Sequence, residues 1–152
     1  MEPKATASTI ISFTERLEED SSAFYEKLAR KSAEDERVLL SFAEESKKNK
    51  LLITRTYRET ITDALEACFC FENLNLSSYV VDTTLTEDTG YLVALKRAIE
   101  LEDKATKFYL EAAEMSKSLL ATIPSAFRKV AEKRISRKQV LESLLRKALT
   151  KS

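Results

Sequence analysis

The sequence predicts an all-α fold in which two antiparallel helical hairpins, joined by one long crossover, form a four-helix bundle. Apolar residues recur about every 3.6 positions in four long segments, which is typical of amphipathic helices. The 152 residues include one Gly and two Pro, so tight turns are few. Between the two halves, residues 72–88 lose the helical period. A chain of this length forms most simply one domain, here 1–152, with a sizeable core.

The first two predicted helices form one hairpin. The first covers about 7–31 and the second about 33–71. Ser32, with Asp35 three residues later, is placed to cap the second helix, and acidic neighbours in the first turn favour the same start. The apolar residues at helical spacing in these two segments include Ile10, Ile11, Leu17, Phe24, Leu28, Val38, Leu39, Phe42, Ile53 and Tyr57.

The other two predicted helices form the second hairpin, after a crossover at about 72–88 that is rich in Asn, Ser, Thr and Asp. The third helix covers about 89–117. The fourth covers about 123–150, with Pro124 in its first turn, where a helix tolerates proline. Because the joints after the first and third helices are short, each hairpin is antiparallel, and the long crossover can run the length of the bundle.

Charge and composition exclude several classes of function. The 25 basic residues balance the 25 acidic ones, so we expect neither nucleic acid nor a membrane as a partner. The chain has no His, which excludes Ser-His and Cys-His catalysis and His-ligated zinc or copper within it. No signal pattern or long apolar run occurs, so we expect a cytoplasmic protein. Cys68 and Cys70 are expected to be packing residues.

One motif occurs in both halves of the chain. Glu18 lies seven residues before Tyr25, and Glu102 lies seven residues before Tyr109. Because seven residues are close to two helical turns, each Glu and its Tyr lie on one face of a helix. A carboxylate inside an apolar stripe, repeated in both halves, indicates a carboxylate site in the core of the bundle. The Phe-Tyr pairs are expected to be core residues whose hydroxyl groups find a partner.

These residues resemble the rubrerythrin branch of the ferritin-like superfamily, and the resemblance covers nearly the whole chain. It implies the ferritin-like form of the four-helix bundle, in which the first and third helices each give one Glu to a di-iron centre. Glu18 and Glu102 match those two positions. The second and fourth helices of the family each give a Glu-x-x-His pair, seven and ten residues after a core Phe.

All four of those Glu-x-x-His positions are substituted in this chain. Counting from Phe42, the expected Glu and His fall on Asn49 and Leu52. Counting from Phe127, they fall on Arg134 and Arg137. The resemblance therefore implies a di-iron site that has lost most of its ligands, and we expect no cofactor.

The arginines suggest what replaced the metal. Arg134 falls in the apolar stripe of the fourth helix and Arg137 at its border. Two buried carboxylates without a counter-charge would be costly or would take up protons. We expect the two guanidinium groups to neutralise Glu18 and Glu102. Two alternatives stay open: the arginines extend their charged heads into water, or the glutamates lie on a solvated face.

Three functional hypotheses follow. The first is a non-enzymatic bundle, descended from a di-iron protein, that serves as an interaction or regulatory module. The second is an oxidoreductase of the ferroxidase or peroxidase kind that binds iron or manganese weakly through Glu18 and Glu102, with Glu45 or Glu132 as helpers. The third is an adaptor that forms a homodimer or binds another protein through an exposed stripe. The candidate contact residues are either Tyr57, Ile61 and Leu65, or Phe69 and Phe71 at the end of the second helix.

Overall fold

Four long helices form most of the computed structural model of this chain. The residues that it describes are 5–60, 70–71, 74–117 and 122–151. The prediction of an all-helical, four-helix fold is confirmed at this level. The helices are α1 (Ala7–Ala29), α2 (Glu36–Thr60), α3 (Tyr91–Met115) and α4 (Thr122–Thr150).

The joint between α1 and α2 is longer than the sequence predicted. Helix α1 ends at Ala29 instead of residue 31, and α2 begins at Glu36 instead of residue 33. Three successive backbone bonds of the tighter i to i−3 type close the end of α1. Ser32 therefore lies four residues before the first residue of α2. Its hydroxyl accepts a hydrogen bond from the backbone N–H of Asp35 within the joint, and the Asp35 carbonyl accepts the first bond of the helix.

The predicted extension of the second helix to Phe71 is wrong at its end. Cys70 and Phe71 form a short strand, β2 (Cys70–Phe71), which pairs antiparallel with β1 (Ala5–Thr6). The pairing brings the start of the chain beside the segment that leads into the crossover. Residues 61–69, which the prediction also placed in this helix, lie outside the described residues, and Cys68 lies among them.

The crossover precedes α3 in the chain and runs alongside that helix. It contains a short 3-10 helix, Leu76–Tyr79, whose N-terminus is capped by Asn75. The Tyr79 hydroxyl donates a hydrogen bond to Glu111, and the Lys104 ammonium donates to the carbonyl of Ser78 at 3.2 Å. Polar groups on α3 thus bind the backbone and side chains of the crossover.

Helix α3 is shorter than predicted at both ends. It begins at Tyr91 instead of residue 89, because Thr89 forms a turn with Thr86 and Gly90 occupies the N-cap. It ends at Met115 instead of residue 117. Helix α4 matches its predicted range within one residue, and Pro124 lies in its first turn as predicted.

The helices pack in two pairs around one core. Helix α1 packs along α2, α3 packs along α4, and α2 also lies against α4. We call α1 and α2 the first helix pair and α3 and α4 the second helix pair. Many alanines of α3 and α4 are buried, which leaves room between the backbones for larger groups. The buried alanines of these helices are Ala94, Ala98, Ala105, Ala112, Ala113, Ala126 and Ala131.

Candidate functional site

Four charged side chains lie in the middle of the bundle, one each from α1 and α3 and two from α4. Glu102 and Arg134 have no exposed surface, and Glu18 and Arg137 are each 1% exposed. The arginine heads therefore do not extend into water, and the glutamates do not lie on a solvated face. We call these four residues, with Glu45, the central cluster.

The apolar stripes explain why these charges are buried. Glu102 lies one turn after Ala98 and one turn before Ala105, and both alanines are buried. Arg134 follows Val130 and Ala131, which are also buried. Because the neighbouring side chains are small, the helices can approach closely and still hold a guanidinium group between them.

Arg134 bridges the two glutamates. Its Nη2 atom lies 2.7 Å from Oε2 of Glu18. Its Nη1 atom lies 2.8 Å from Oε2 and 2.9 Å from Oε1 of Glu102. Nη2 also donates a hydrogen bond to the hydroxyl of Ser21 at 3.0 Å. The planar guanidinium thus binds a carboxylate from α1 and a carboxylate from α3 at the same time, which a Lys ammonium could not match in geometry.

Arg137 binds a different pair of carboxylates from the one predicted. Its Nη1 atom lies 3.5 Å from Oε2 of Glu102, and its Nη2 atom lies 2.6 Å from Oε1 of Glu45. Nη1 also donates to the hydroxyl of Ser46 at 3.0 Å. The prediction that both arginines neutralise Glu18 and Glu102 is therefore correct for Arg134 and incomplete for Arg137. Glu45, considered as a helper for metal binding, is a salt-bridge partner of Arg137.

Aromatic rings complete the environment of Arg137. Its guanidinium carbon lies 5.3 Å from the ring centre of Tyr25 and 5.4 Å from that of Phe42. At these distances the ring faces attract the cation. Burial alone would lower the pKa of Arg137, but Glu102, together with Tyr25 and Glu18, outweighs it, and the pKa is raised. The guanidinium group stays charged inside the core.

The two tyrosines of the repeated motif bind the glutamates crosswise. Tyr25 of α1 donates its hydroxyl hydrogen to Oε2 of Glu102 in α3. Tyr109 of α3 donates to Oε2 of Glu18 in α1, at 2.5 Å. Burial, and then the neighbouring carboxylate, raise the pKa of each hydroxyl well above its ordinary value. Each tyrosine is therefore a fixed, protonated donor that links the two helix pairs.

The charge of Glu102 depends on its cationic neighbours. Burial alone would raise its pKa, because a carboxylate loses its hydration in the core. Arg134 and Arg137, followed by the Tyr25 hydrogen bond, outweigh that effect and hold the pKa below its ordinary value of 4.5. Glu102 is thus ionised at neutral pH, and its carboxylate contacts both arginines.

Of the remaining predicted positions, some lie in contact with the central cluster and others do not. Asn49 is fully buried, and its Nδ2 atom donates to Oε1 of Glu18 at 3.3 Å. Leu52 is partly buried and packs against the apolar core. Glu132 lies on the exposed face of α4, away from the cluster. Sequence reasoning missed Ser21 and Ser46. Each is a small polar residue on the apolar face of its helix, a pattern that the sequence shows. Ser21 lies three residues after Glu18, and Ser46 lies three residues before Asn49.

The central cluster does not fit the metal that the family resemblance implies. A di-metal site needs several anionic or neutral donors facing one point. Here the guanidinium of Arg134 lies between the two carboxylates, and Arg137 binds Glu45 and Glu102. Within the described ranges, no group of three or more His, Cys, Asp or Glu side chains could hold a metal ion. The carboxylates of Glu18, Glu45 and Glu102 are each already bound to an arginine.

A second polar cluster lies at one end of the bundle, and we call it the end cluster. Asp35 accepts a hydrogen bond from the Tyr91 hydroxyl at 2.7 Å and one from the Lys147 ammonium at 2.6 Å. Lys147 also lies 3.4 Å from Glu34, which binds Lys151. Burial alone would raise the pKa of Asp35, but Lys147 and Tyr91 outweigh it and lower that pKa. Asp35 is 4% exposed, whereas the Lys147 side chain is 38% exposed.

The residues predicted to form a contact stripe are only partly described. Tyr57 is partly buried and packs against the core. Ile61, Leu65 and Phe69 lie outside the described residues, and Phe71 belongs to β2. In the part of the chain that the structure covers, no helix is long and apolar enough to cross a membrane. The predicted dimer or protein partner stays a prediction.

The identity of the fold family also stays a prediction. No family model matches the chain, and neither a curated protein nor a solved structure does. The functional interpretation of the chain therefore rests on the geometry of the central cluster.

Proposed function

We propose that this chain is a non-enzymatic helical bundle of ferritin-like topology that serves as an interaction or regulatory module. In this proposal an ionic cluster takes the place of a di-iron centre. The observation that supports it best is the position of Arg134, whose guanidinium binds Glu18 at 2.7 Å and Glu102 at 2.8 Å. A cation that is part of the protein supplies the positive charge that bound metal ions would supply in the relatives.

The order of contacts along the helices supports the ferritin-like topology. Lys50 of α2 binds Glu19 of α1, and Lys47, one turn earlier, lies 3.4 Å from Glu26, two turns later in α1. Contacts that advance along one helix and retreat along the other are typical of an antiparallel pair. The crossover between the two pairs then leads along α3, as a ferritin-like bundle requires.

The charge distribution argues against the alternative, a metal-dependent oxidoreductase. A divalent ion placed between Glu18 and Glu102 would have to displace Arg134 and would then lie beside Arg137. Two buried guanidinium groups repel cations strongly where the dielectric constant is low. Both tyrosine hydroxyls already donate to the carboxylates, which leaves these oxygens fewer lone pairs for a metal.

The proposal predicts that the protein takes up no stoichiometric iron or manganese. The test is elemental analysis of protein produced in medium supplemented with both metals and purified without chelator. We expect less than about 0.1 metal ion per chain, because the carboxylates are bound to arginine. A parallel sample receives one equivalent of each metal, is desalted, and is then analysed by the same method. It shows whether weakly bound metal is retained. Retention of one or two ions per chain would contradict the proposal.

A second test addresses activity. Ferrous iron is added anaerobically, air is admitted, and the near-ultraviolet absorbance of ferric product is followed. We expect the rate to equal that of buffer, and the rate should stay the same for the Glu102→Gln variant. A wild-type rate that exceeds buffer and falls in the variant would favour the oxidoreductase.

A further inference from the structure

The two helix pairs are alike where they meet. Glu18 and Tyr25 in the first pair correspond to Glu102 and Tyr109 in the second, with the same spacing. The core aromatic contacts repeat as well. Tyr25 packs on Phe42 with ring centres 5.5 Å apart, and Tyr109 packs on Phe127 at 6.2 Å. Two similar surfaces thus face each other across the core, so each surface could also pack against the same surface of another copy of the chain.

The charged residues of the central cluster that differ between the pairs lie on their second helices. Seven residues after Phe42 is Asn49, whereas seven residues after Phe127 is Arg134. Ten residues after these Phe are Leu52 and Arg137. The first pair therefore contributes one fully buried charge, from Glu18. The second pair contributes one carboxylate and two guanidinium groups.

The contacts of the central cluster are shared between the pairs. Each buried tyrosine donates to the glutamate of the other pair, and Arg134 of the second pair binds Glu18 of the first. When the two different pairs meet, the four fully buried charges cancel. The half-exposed Glu45, whose side chain is 32% exposed, binds Arg137 from the edge.

We propose that this unequal charge set is a pairing code, which makes the first helix pair bind the second helix pair instead of a like pair from another copy of the chain. The determinants are Glu18 on one side and Arg134 and Arg137 on the other. This inference goes beyond the proposed function, because it holds whether or not the fold once carried a metal.

The cost of the alternative pairings follows from the charges. Two first pairs would bury two copies of Glu18 with no cation between them. Two second pairs would bury four guanidinium groups against two carboxylates. Unbalanced charge in the core is far more costly than a paired charge, so each like pairing is rejected. A buried polar group that selects one partner at the expense of stability is an established use of such groups.

The test compares pairings in full-length protein that carries a protease site in the exposed part of the crossover, between Glu87 and Asp88. The protein is unfolded, refolded at about 1 mM so that pairing between chains can compete with the tether, and then cleaved at the inserted site. Native mass spectrometry counts complexes of first with second pairs, first with first, and second with second. The test variant replaces the code by neutral groups and carries Glu18→Gln, Glu102→Gln, Arg134→Asn and Arg137→Leu.

We expect the wild type to give only complexes of first with second pairs. In the test variant the share of like-paired complexes should rise at least about tenfold, and should rise further with protein concentration. The matched control carries Asp103→Asn and Lys138→Gln, which removes a half-exposed ion pair of 3.1 Å between α3 and α4, within the second helix pair. This control should pair like the wild type.

A second variant covers the case in which the neutral polar one does not fold. It carries Glu18→Leu, Glu102→Leu, Arg134→Leu, Arg137→Leu, Tyr25→Phe and Tyr109→Phe, because apolar replacements of buried ion pairs commonly fold. A folded variant of either kind that still gives only first-with-second complexes would overturn the proposal. So would failure of both variants to form helices at any concentration, because the cluster would then be required for folding and not for the choice of partner.

Discussion

The central cluster and the end cluster use the same chemistry at different depths. In each, a carboxylate accepts hydrogen bonds from a tyrosine hydroxyl and from a cation on α4. In the centre these groups are Glu102, Tyr25 and Arg134, and all three are fully buried. At the end they are Asp35, Tyr91 and Lys147, and the lysine and tyrosine keep contact with water.

The difference teaches that burial, and not the list of contacts, decides what each group contributes. Water can solvate Lys147 when its partner is removed, so the end cluster tolerates the loss of a contact. Glu18 and Glu102 have almost no exposed surface, so each depends on its protein partners. The same three-part arrangement therefore tolerates the loss of one member at the end of the bundle, whereas in the centre the loss of one member leaves a buried charge without its partner.

The largest expected effect is that of Arg134→Gln. It leaves Glu18 and Glu102 buried without their common counter-ion, so we expect the free energy of unfolding to fall by about 3–5 kcal/mol. Urea denaturation followed by circular dichroism measures it. Lys138→Gln, one turn along the same helix, is the matched control and should change the midpoint far less. Equal changes in the two variants would contradict the assignment.

Lowering the pH should change the free energy of unfolding of the wild type and of the Arg134→Gln variant differently. The pKa of Glu102 in the folded wild type lies below its ordinary value of 4.5. Its stabilising contribution is therefore complete above pH 4.5 and is lost as the pH falls through the lower folded value. Each unit of that lowering corresponds to about 1.4 kcal/mol.

In the Arg134→Gln variant the effect of pH on stability should have the opposite sign. Burial now dominates and raises the pKa of Glu102, so protonation of this carboxylate removes the uncompensated buried charge. The variant should become more stable as the pH falls from 7 to 5, while the wild type stays level. Urea unfolding at several pH values measures both curves. Parallel curves would show that Arg134 does not set the charge of the cluster.

Tyr25→Phe should have an intermediate effect. It removes one donor to Glu102 but leaves both arginines in place. Because the carboxylate oxygen is then buried with one bond fewer, we expect a loss of about 1–3 kcal/mol. Thermal unfolding gives the change, and Tyr109→Phe should give a similar one, since its hydroxyl has the same role toward Glu18.

Tyr91→Phe is the matched change at the end of the bundle and should have the smallest effect. Asp35 keeps its bond to Lys147, and water can replace the lost hydroxyl. We expect a loss below about 1 kcal/mol, measured in the same way as for Tyr25→Phe. A loss as large as that of Tyr25→Phe would remove the distinction between the two clusters.

The number of helices and their approximate ranges could be predicted from sequence because periodicity reports directly which face is buried. The ends could not. The joint at residues 30–35 is set by local hydrogen bonds that compete with helix, and Asp35 is fixed there by Tyr91 and Lys147, distant in sequence. Cys70 and Phe71 form a strand only because β1 lies beside them.

The central cluster was predictable in part for a similar reason. A charged residue in an apolar stripe is visible in one helix at a time, which identified Glu18, Glu102 and Arg134. Which acid meets which cation depends on how helices from distant parts of the chain align. The crosswise bonds of Tyr25 and Tyr109 and the contact of Arg137 with Glu45 therefore required the structure.

The central claim is that arginine keeps the buried carboxylate of Glu102 ionised without a metal. The most direct measurement is the carbon-13 shift of the Glu102 carboxyl carbon in protein labelled at glutamate, recorded from pH 7 downward in the presence of chelator. We predict the shift of an ionised carboxylate at pH 4.5, the ordinary pKa of glutamate, in a protein that is still folded. A shift typical of the protonated acid near neutral pH would contradict the claim.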